Sequence, residues 1–352
     1  MARTTRPTLT HVAASAGVSV STASLAFSGA GPVSERTRQR VLDAAAELGY
    51  AGPDPMARSL RQGRTGIIGV VFAERLRHAF RDPVAIALLD GLAEELGPVG
   101  PGLLVLTGND ERAGPSTEQL AAAPLDAAVF ATCDLEEEPL VEPLRVREIP
   151  MVGIEGPRMP GVSLVDIDNI GASREVTEHI LSLGHKRIAA VVLPWRPGRQ
   201  RGFLDRARRD LSGSVVFADR LRGTEEAIGA SVHAWEAAAS TVEEGRAAGR
   251  ALLDVDEPPT AIVAHSDLLA AGVIQAAHEL GLRVPEDLSV AGFDGIDTPW
   301  LDPLTLTTAV QPMVEKGRIA GRMVTDLLAG RTPEDVLLPV HLRVGGTTAP
   351  PR

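Results

Sequence analysis

Arg199, His265, Ser266, Asp267 and Asp294 are side chains that could act on a small polar molecule, and each sits just beyond a short apolar run. VVLPWRPGRQRGF carries Trp195, Arg196 and Arg199; TAIVAHSDLL carries His265, Ser266 and Asp267; SVAGFDGID carries Asp294. An arginine set among carboxylates gives charge-assisted hydrogen bonds to hydroxyl groups, and a flat ring covers the apolar face of a sugar. Trp195 and Trp235 could supply that ring. Plainer readings stand beside these: Asp267 as a helix N-cap, Asp294 as the cap of a turn, Trp235 as core. Catalysis finds no constellation. Sequence neighbours do not face one another, so His265, Ser266 and Asp267 form no triad, and there is no G-x-S-x-G elbow, phosphate loop or dinucleotide fingerprint. His185 and Asp168 lack metal-ligand spacing. The single cysteine, Cys133, excludes an internal disulfide and a thiolate zinc cluster. Neither a cofactor nor a metal is expected, and the chain does not read as an enzyme.

A different chemistry is written at the other end, in TLTHVAASAGVSVSTASLAFS, residues 8–28. Val12, Ala13, Ala16, Val18, Ala23 and Ala26 can line the inside of two short helices. Gly17 suits the left-handed turn between them, and Ser19 can cap the second. Helix, glycine turn, helix is the helix-turn-helix pattern, although an ordinary helical pair would read the same way. SERTRQRVLDAAAELG, residues 34–49, reads as a third helix capped by Ser34 and stopped by Gly49.

Charge separates this segment from the rest. The net charge is −11, yet residues 1–65 hold eight arginines against four carboxylates, a balance of +4. The remainder holds 27 basic and 42 acidic residues, a balance of −15. Such asymmetry points to a polyanion as the partner of one part only. MARTTRPTLT is basic with no apolar run after it, so it is not a signal peptide, and no stretch approaches the ~20 apolar residues of a membrane helix. The expected location is the cytoplasm.

The 352 residues and 44% hydrophobic content allow two or three domains with sizeable cores. Between the headpiece and the core lies YAGPDPMARSLRQGRT, residues 50–65. Its prolines exclude a helix at the start; Met56–Gln62 reads either as a plain linker or as a short helix that folds on docking. From Gly66 apolar strands alternate with helical stretches. Expected strands are 66–72, 102–106, 127–131, 149–154, 162–168, 187–193, 214–218, 260–264 and 287–293. Expected helices are 82–96, 172–183, 199–211, 241–253, 268–280 and 314–328. Repeated β-α units predict parallel sheets covered on both faces, here in two α/β subdomains with ligand beyond the carboxyl ends of the strands.

Taken together, these blocks resemble the lactose-repressor (LacI/GalR) family of bacterial transcription regulators, nearly end to end. TLTHVAASAGVSVSTAS and VSERTRQRVLDAAAELGY resemble its headpiece, and PDPMARSLRQGRTGIIGVV its hinge helix and first core strand. VDIDNIGASREVTEHILSLGHKRIA, PPTAIVAHSDLLAAGVIQAAHELGLRVPEDLSVAGFD and PLTLTTAVQP resemble its core. The resemblance implies an all-α helix-turn-helix DNA-binding headpiece (1–49), a hinge with a short DNA-dependent helix (50–65) and a periplasmic-binding-protein-like core (66–352) of two parallel-sheet subdomains. The subdomains would be about 66–164 with 313–330, and 165–312 with 331–352. It implies a homodimeric regulator, a repressor, on pseudo-palindromic double-stranded operator DNA, controlled by a small-molecule effector, a sugar or else a purine.

By motif position Val20, Ser21 and Leu25 would read bases, while Thr8, Ser19, Thr22, Ser24, Ser28 and Ser34 would hold phosphates. Ala57, Arg58 and Leu60 would fall on the hinge helix, with Leu60 as the minor-groove wedge. Trp195, Arg199, Trp235, Ser266, Asp267 and Asp294 would form the effector site, Arg199 through an R-x-x-G spacing with Gly202. Four departures stand out. Leu25 stands where the family commonly has arginine, Ser266 where many members have asparagine, Gly52 is one extra residue before the hinge, and no heptad helix follows the last strand, which argues against a tetramer. The rival readings are a small-molecule binding protein and a sugar-metabolising enzyme with an attached helix-turn-helix. The charge split opposes the first, and the lack of a catalytic constellation opposes the second.

Overall fold

The computed structural model describes residues 7–29, 31–52, 64–97, 100–108, 114–131, 138–194, 200–209 and 214–352. The chain forms two units, Met1–Gly66 and Ile67–Arg352.

In the first unit α1 (Leu9–Ala16), α2 (Val20–Ser28) and α3 (Glu35–Leu48) enclose a core built largely from alanine. Val12, Ala13, Ala16, Ala23, Ala26, Val41, Ala44 and Ala45 are buried, and Phe27 meets Tyr50 edge-on at 5.6 Å. Small side chains let the helices approach closely, so this core depends on accurate helix ends. Gly17 supplies one: at φ 63° its N–H turns back to the carbonyls of Ala13 and Ala14. Ser19 Oγ accepts the Thr22 N–H at 3.1 Å and opens α2, and Ser34 does the same for α3 through Thr37.

The second unit contains two sheets. The first uses β1 (Ile67–Arg75), β2 (Gly102–Gly108), β3 (Ala127–Phe130), β4 (Met151–Ile154), β5 (Val162–Ile167) and, from far along the chain, β12 (Val336–Leu338). Its order is β12-β5-β4-β3-β1-β2, all parallel. The second uses β6 (Ile188–Val192), β7 (Gly202–Phe203), β8 (His233–Glu236), β9 (Ala261–Ala264), β10 (Ser289–Asp294), β11 (Thr307–Val310) and β13 (His341–Arg343). Its order is β13-β11-β10-β9-β6-β8-β7, parallel except at the two edges. Strands β3, β4 and β9 are buried at every position, as strands covered on both faces must be.

The cover comes from α4 (Pro83–Leu96), α5 (Thr117–Ala122), α6 (Val141–Val146), α7 (Asn169–Ser182), α8 (Val215–Ile228), α9 (Val242–Leu253), α10 (Asp267–Glu279) and α11 (Met313–Leu328). Helix α4 pairs with α11, α7 with α8 and α9 with α10.

Three expectations fail. Residues 214–218 are not a strand: Ser214 caps α8, and Val215, Val216 and Phe217 are its first turn. A short β-branched run carries no period that separates strand from helix. Residues 199–211 are not one helix; the described part is the edge strand β7 followed by a single turn, Arg206–Arg209. Residues 331–352 do not all belong to the second subdomain, because β12 pairs with β5 in the first sheet.

Candidate functional site

In the headpiece α2 turns two different faces. Ala23 and Ala26 are buried, whereas Val20 and Leu25, two of the three residues expected to read bases, are 45% and 37% exposed. Ser21 and Ser28 are exposed beside them. Ser19 Oγ lies 2.8 Å from both Ser21 Oγ and Thr22 Oγ1, a hydroxyl cluster at the helix N-terminus, where the backbone dipole favours anions. Thr8 precedes α1, its N–H donating to His11 Nδ1, and Ser24 is half-buried. Ala57, Arg58 and Leu60 lie outside the described residues, as do Trp195 and Arg199.

In the second unit polar groups meet where the strands of both sheets end. Arg220, on α8, is buried; its Nε donates to Asn169 Oδ1 at 2.8 Å and its Nη1 to the His265 carbonyl at 2.9 Å. Its guanidinium lies 3.8 Å from the centre of the Phe293 ring, and it approaches both Asp294 and Glu155 at 3.6 Å. Glu155 follows β4 of the first sheet and Asp294 ends β10 of the second, so one arginine meets an acid from each half. Lys316, on α11, is buried and pairs with Glu155 and with Gln311 Oε1. Gln311 in turn donates Nε2–H to Asp294 Oδ1 at 2.7 Å. Both acids stand at positive φ, 63° for Glu155 and 120° for Asp294, backbone that non-glycine residues avoid unless their surroundings hold them there.

The two acids titrate differently. Burial pushes Glu155 upward, but Lys316 and Arg220 outweigh it and hold the carboxyl down at about 2. Burial dominates at Asp294 and, despite Arg220 and the Gln311 bond, lifts it to about 6. His265 is held at about 3 by burial and then by Arg220, so its ring is neutral; Nε2 meets Thr224 Oγ1.

The remaining expected residues take other places. Ser266, not Asp267, caps α10: its Oγ accepts the Leu268 N–H and meets Ser240 Oγ. Asp267 is fully buried and accepts from the N–H groups of Gly295 and Ile296 and the Thr308 hydroxyl, so it holds the turn that follows Asp294. Trp235 sits within β8, edge-on to Phe203 at 4.9 Å and packed on the core of the second sheet.

Residues 8–52 match the family model for bacterial regulatory proteins, lacI family, and residues 177–348 the periplasmic binding protein-like domain. An HTH-type transcriptional regulator of Mycolicibacterium smegmatis is 34% identical over 361 residues, spanning 98% of this chain and 97% of the relative. The chain belongs to the lacI family. This LacI-family regulator is also similar to the transcriptional regulator CelR in complex with cellobiose: 29% identity, TM-score 0.67, 97% of this chain and 100% of that one. It shares its fold with the lac repressor dimer bound to operator, at TM-score 0.75 and 24% identity over 97% and 99% of the two chains.

It is thus a DNA-binding transcriptional regulator with a helix-turn-helix headpiece and a periplasmic-binding-protein-like core, in a family made of transcriptional regulators. Among the described residues no group of three or more His, Cys, Asp or Glu could hold a metal ion, and no helix is long and apolar enough to cross a membrane.

Arg220, Glu155, Gln311 and Lys316 join the site without being among the residues expected from the sequence. Arg220 had a signal: R-L-R-G at 220–223 repeats the R-x-x-G spacing assigned to Arg199. There the glycine has a physical reason. A Cβ on Gly223 would lie 2.2 Å from the Ile170 carbonyl oxygen, so α7 and α8 pack as they do only without one.

Proposed function

We propose that this regulator is a homodimeric repressor of a pseudo-palindromic operator, and that a sugar bound between the two halves of its core changes its DNA affinity. Arg220 and Asp294 are the effector contacts. Asp294 accepts the Gln311 Nε2–H through Oδ1, and the same oxygen faces Arg220. A carboxylate oxygen beside a guanidinium suits a pair of sugar hydroxyls, one donating and one accepting. The observation that carries the reading is that Arg220 meets an acid from each half, so a ligand at this point acts on both. The cellobiose complex of CelR supports a sugar as the ligand class. Arg199, Trp195 and Trp235 are kept as further effector contacts.

On DNA, Val20, Ser21 and Leu25 read bases, while Thr8, Ser19, Thr22, Ser24, Ser28 and Ser34 hold phosphates. Ala57, Arg58 and Leu60 form the hinge contact, with Leu60 entering the minor groove. Coupling of effector to operator by 100-fold requires ~2.7 kcal/mol.

The test is a thermal-shift screen of mono- and disaccharides and nucleobases on the full chain, repeated with DNA from upstream of its own coding region. A sugar should raise Tm and change retention of that DNA. No DNA retention at low salt, or a shift with nucleobases alone, would sink the corresponding half of the proposal.

A further inference from the structure

The polar groups between the two halves of the core repeat a pattern. At the end of β4, Glu155 accepts from Asn169 Nδ2 at 2.9 Å, and Asn169 Oδ1 accepts from Arg220. At the end of β10, Asp294 accepts from Gln311 Nε2, and Gln311 Oε1 accepts from Lys316. Each acid is therefore gripped by an amide, and each amide by a cation. Asn169 opens α7 and Gln311 precedes α11, so both amides sit where the chain leaves a sheet. Strands β4 and β10 hold the same rank in their sheets, third from the β12 and β13 edges. The cations then cross over, Lys316 to Glu155 and Arg220 to Asp294, which closes a ring of six side chains.

A primary amide is close to symmetric in shape, and which end points where depends on its partners. A lysine ammonium can only donate. It therefore selects the Gln311 orientation with oxygen inward, which forces Nε2–H toward Asp294. We propose that Lys316 is a positioning residue of the effector site: through Gln311 it keeps Asp294 oriented and ionisable, and through Glu155 it ties the two halves together. Lys316 is 1% exposed, so it acts through these neighbours and not by meeting the effector itself. The assignment rests on Asp294 being an effector contact.

The test needs no effector. The groups facing Asp294 are Arg220 from α8, Glu155 after β4, Lys316 from α11, Gln311, Asp267 from α10 and Asp82 ahead of α4. The full chain is unfolded in urea at intervals from pH 4 to pH 8. The parent should lose stability as pH rises through about 6, and Asp294→Asn should remove that step. Lys316→Met removes a cation that favours the ionised form, so the step should move up by about one pH unit. Lys316→Gln keeps a donor for Glu155, should move the step in the same direction, and serves if the methionine variant is poorly folded. Lys316→Arg, still donor-only, should leave the step near its parent position. An unmoved step in the neutral variants, or no Asp294-dependent step in the parent, overturns the proposal. Because the protein is ligand-free throughout, an empty sugar screen would defeat the effector reading while leaving this result standing.

Discussion

Arg220 reaches Asp294 at 3.6 Å, longer than a hydrogen bond, because its Nε and Nη1 are already committed to Asn169 and the His265 carbonyl. Nη1, the atom nearest Asp294, is thus held by the His265 carbonyl, while Nη2 faces Glu155. Lysine cannot reproduce that fork. Arg220→Lys should therefore cut sugar affinity by at least ~10-fold while leaving operator affinity in the absence of sugar within about 3-fold. Calorimetry and DNA-binding assays on the same preparation check it. Arg220→Ala should destabilise the core by roughly 3–5 kcal/mol, the cost of leaving buried acids without their cation.

Leu25 is the exposed residue of α2 that departs from the family pattern, and it packs beside Gly31: a Cβ there would come within 3.2 Å of its Cδ2. Leucine offers no donor to guanine, only contact with a thymine methyl. Leu25→Arg should move the selected operator toward guanine at one position per half-site, by ~1–3 kcal/mol of discrimination. Selection from a randomised duplex pool would reveal the change; an unaltered consensus would mean that this side chain reads no base.

Ser19 caps α2 and, on the proposed reading, also holds a phosphate. Ser19→Ala removes the cap of α2 and should lower headpiece stability by about 1 kcal/mol. It should also weaken binding to specific and nonspecific DNA alike, since a phosphate contact carries no sequence information. Affinity for both duplexes at one salt concentration separates this from a base contact.

Much of the fold was legible because the α/β alternation is written in long apolar runs. Strands β1, β6, β9 and β10 and helices α4, α7, α9, α10 and α11 fall on stretches marked for them. Helix α8 was not legible, because Val215-Val216-Phe217 favours a strand when read locally and only packing against α7 decides the matter. That misreading also hid Arg220: an arginine placed beyond a strand could not be recognised as the one on the buried face of a helix. Lys316 was hidden for another reason. Lysine is normally a surface residue, yet it falls on the stripe of Met313, Gly317, Ala320 and Val324, and only its partners explain a charge there. The capping hydroxyls of Ser19 and Ser34 were easier, because caps are set by local spacing.

Gly223 and Ile170 fix the distance between α7 and α8, and with it the reach of Arg220 toward Asn169. Gly223→Ala should cost roughly 1–3 kcal/mol, as overpacking does, and lower Tm. Because Arg220 shifts with its helix, sugar affinity should fall as well; a variant that loses stability but binds sugar normally would break that link.

Glu155 gives the core an acid limit. Its folded value of about 2 lies below its ordinary 4.5, so the unfolded chain takes up the proton first as pH falls. The stability it contributes is complete above 4.5 and lost toward about 2. Asp294 runs the other way: its folded value of about 6 lies above 3.8, so stability declines as pH rises between those values. Subtracting the Glu155→Gln denaturation profile from the parent should isolate a loss confined to the acid side.

The pairing of β12 with β5 joins residues 336–338 to residues 165–167. The first sheet therefore lacks an edge strand until residue 338 has been made. The headpiece carries no such debt to the C-terminus; it can fold within its first fifty residues. During translation a DNA-reading module thus precedes the sensor that governs it, and a message cut short before codon 336 would yield a chain with a headpiece but with the first half of its core left unsealed.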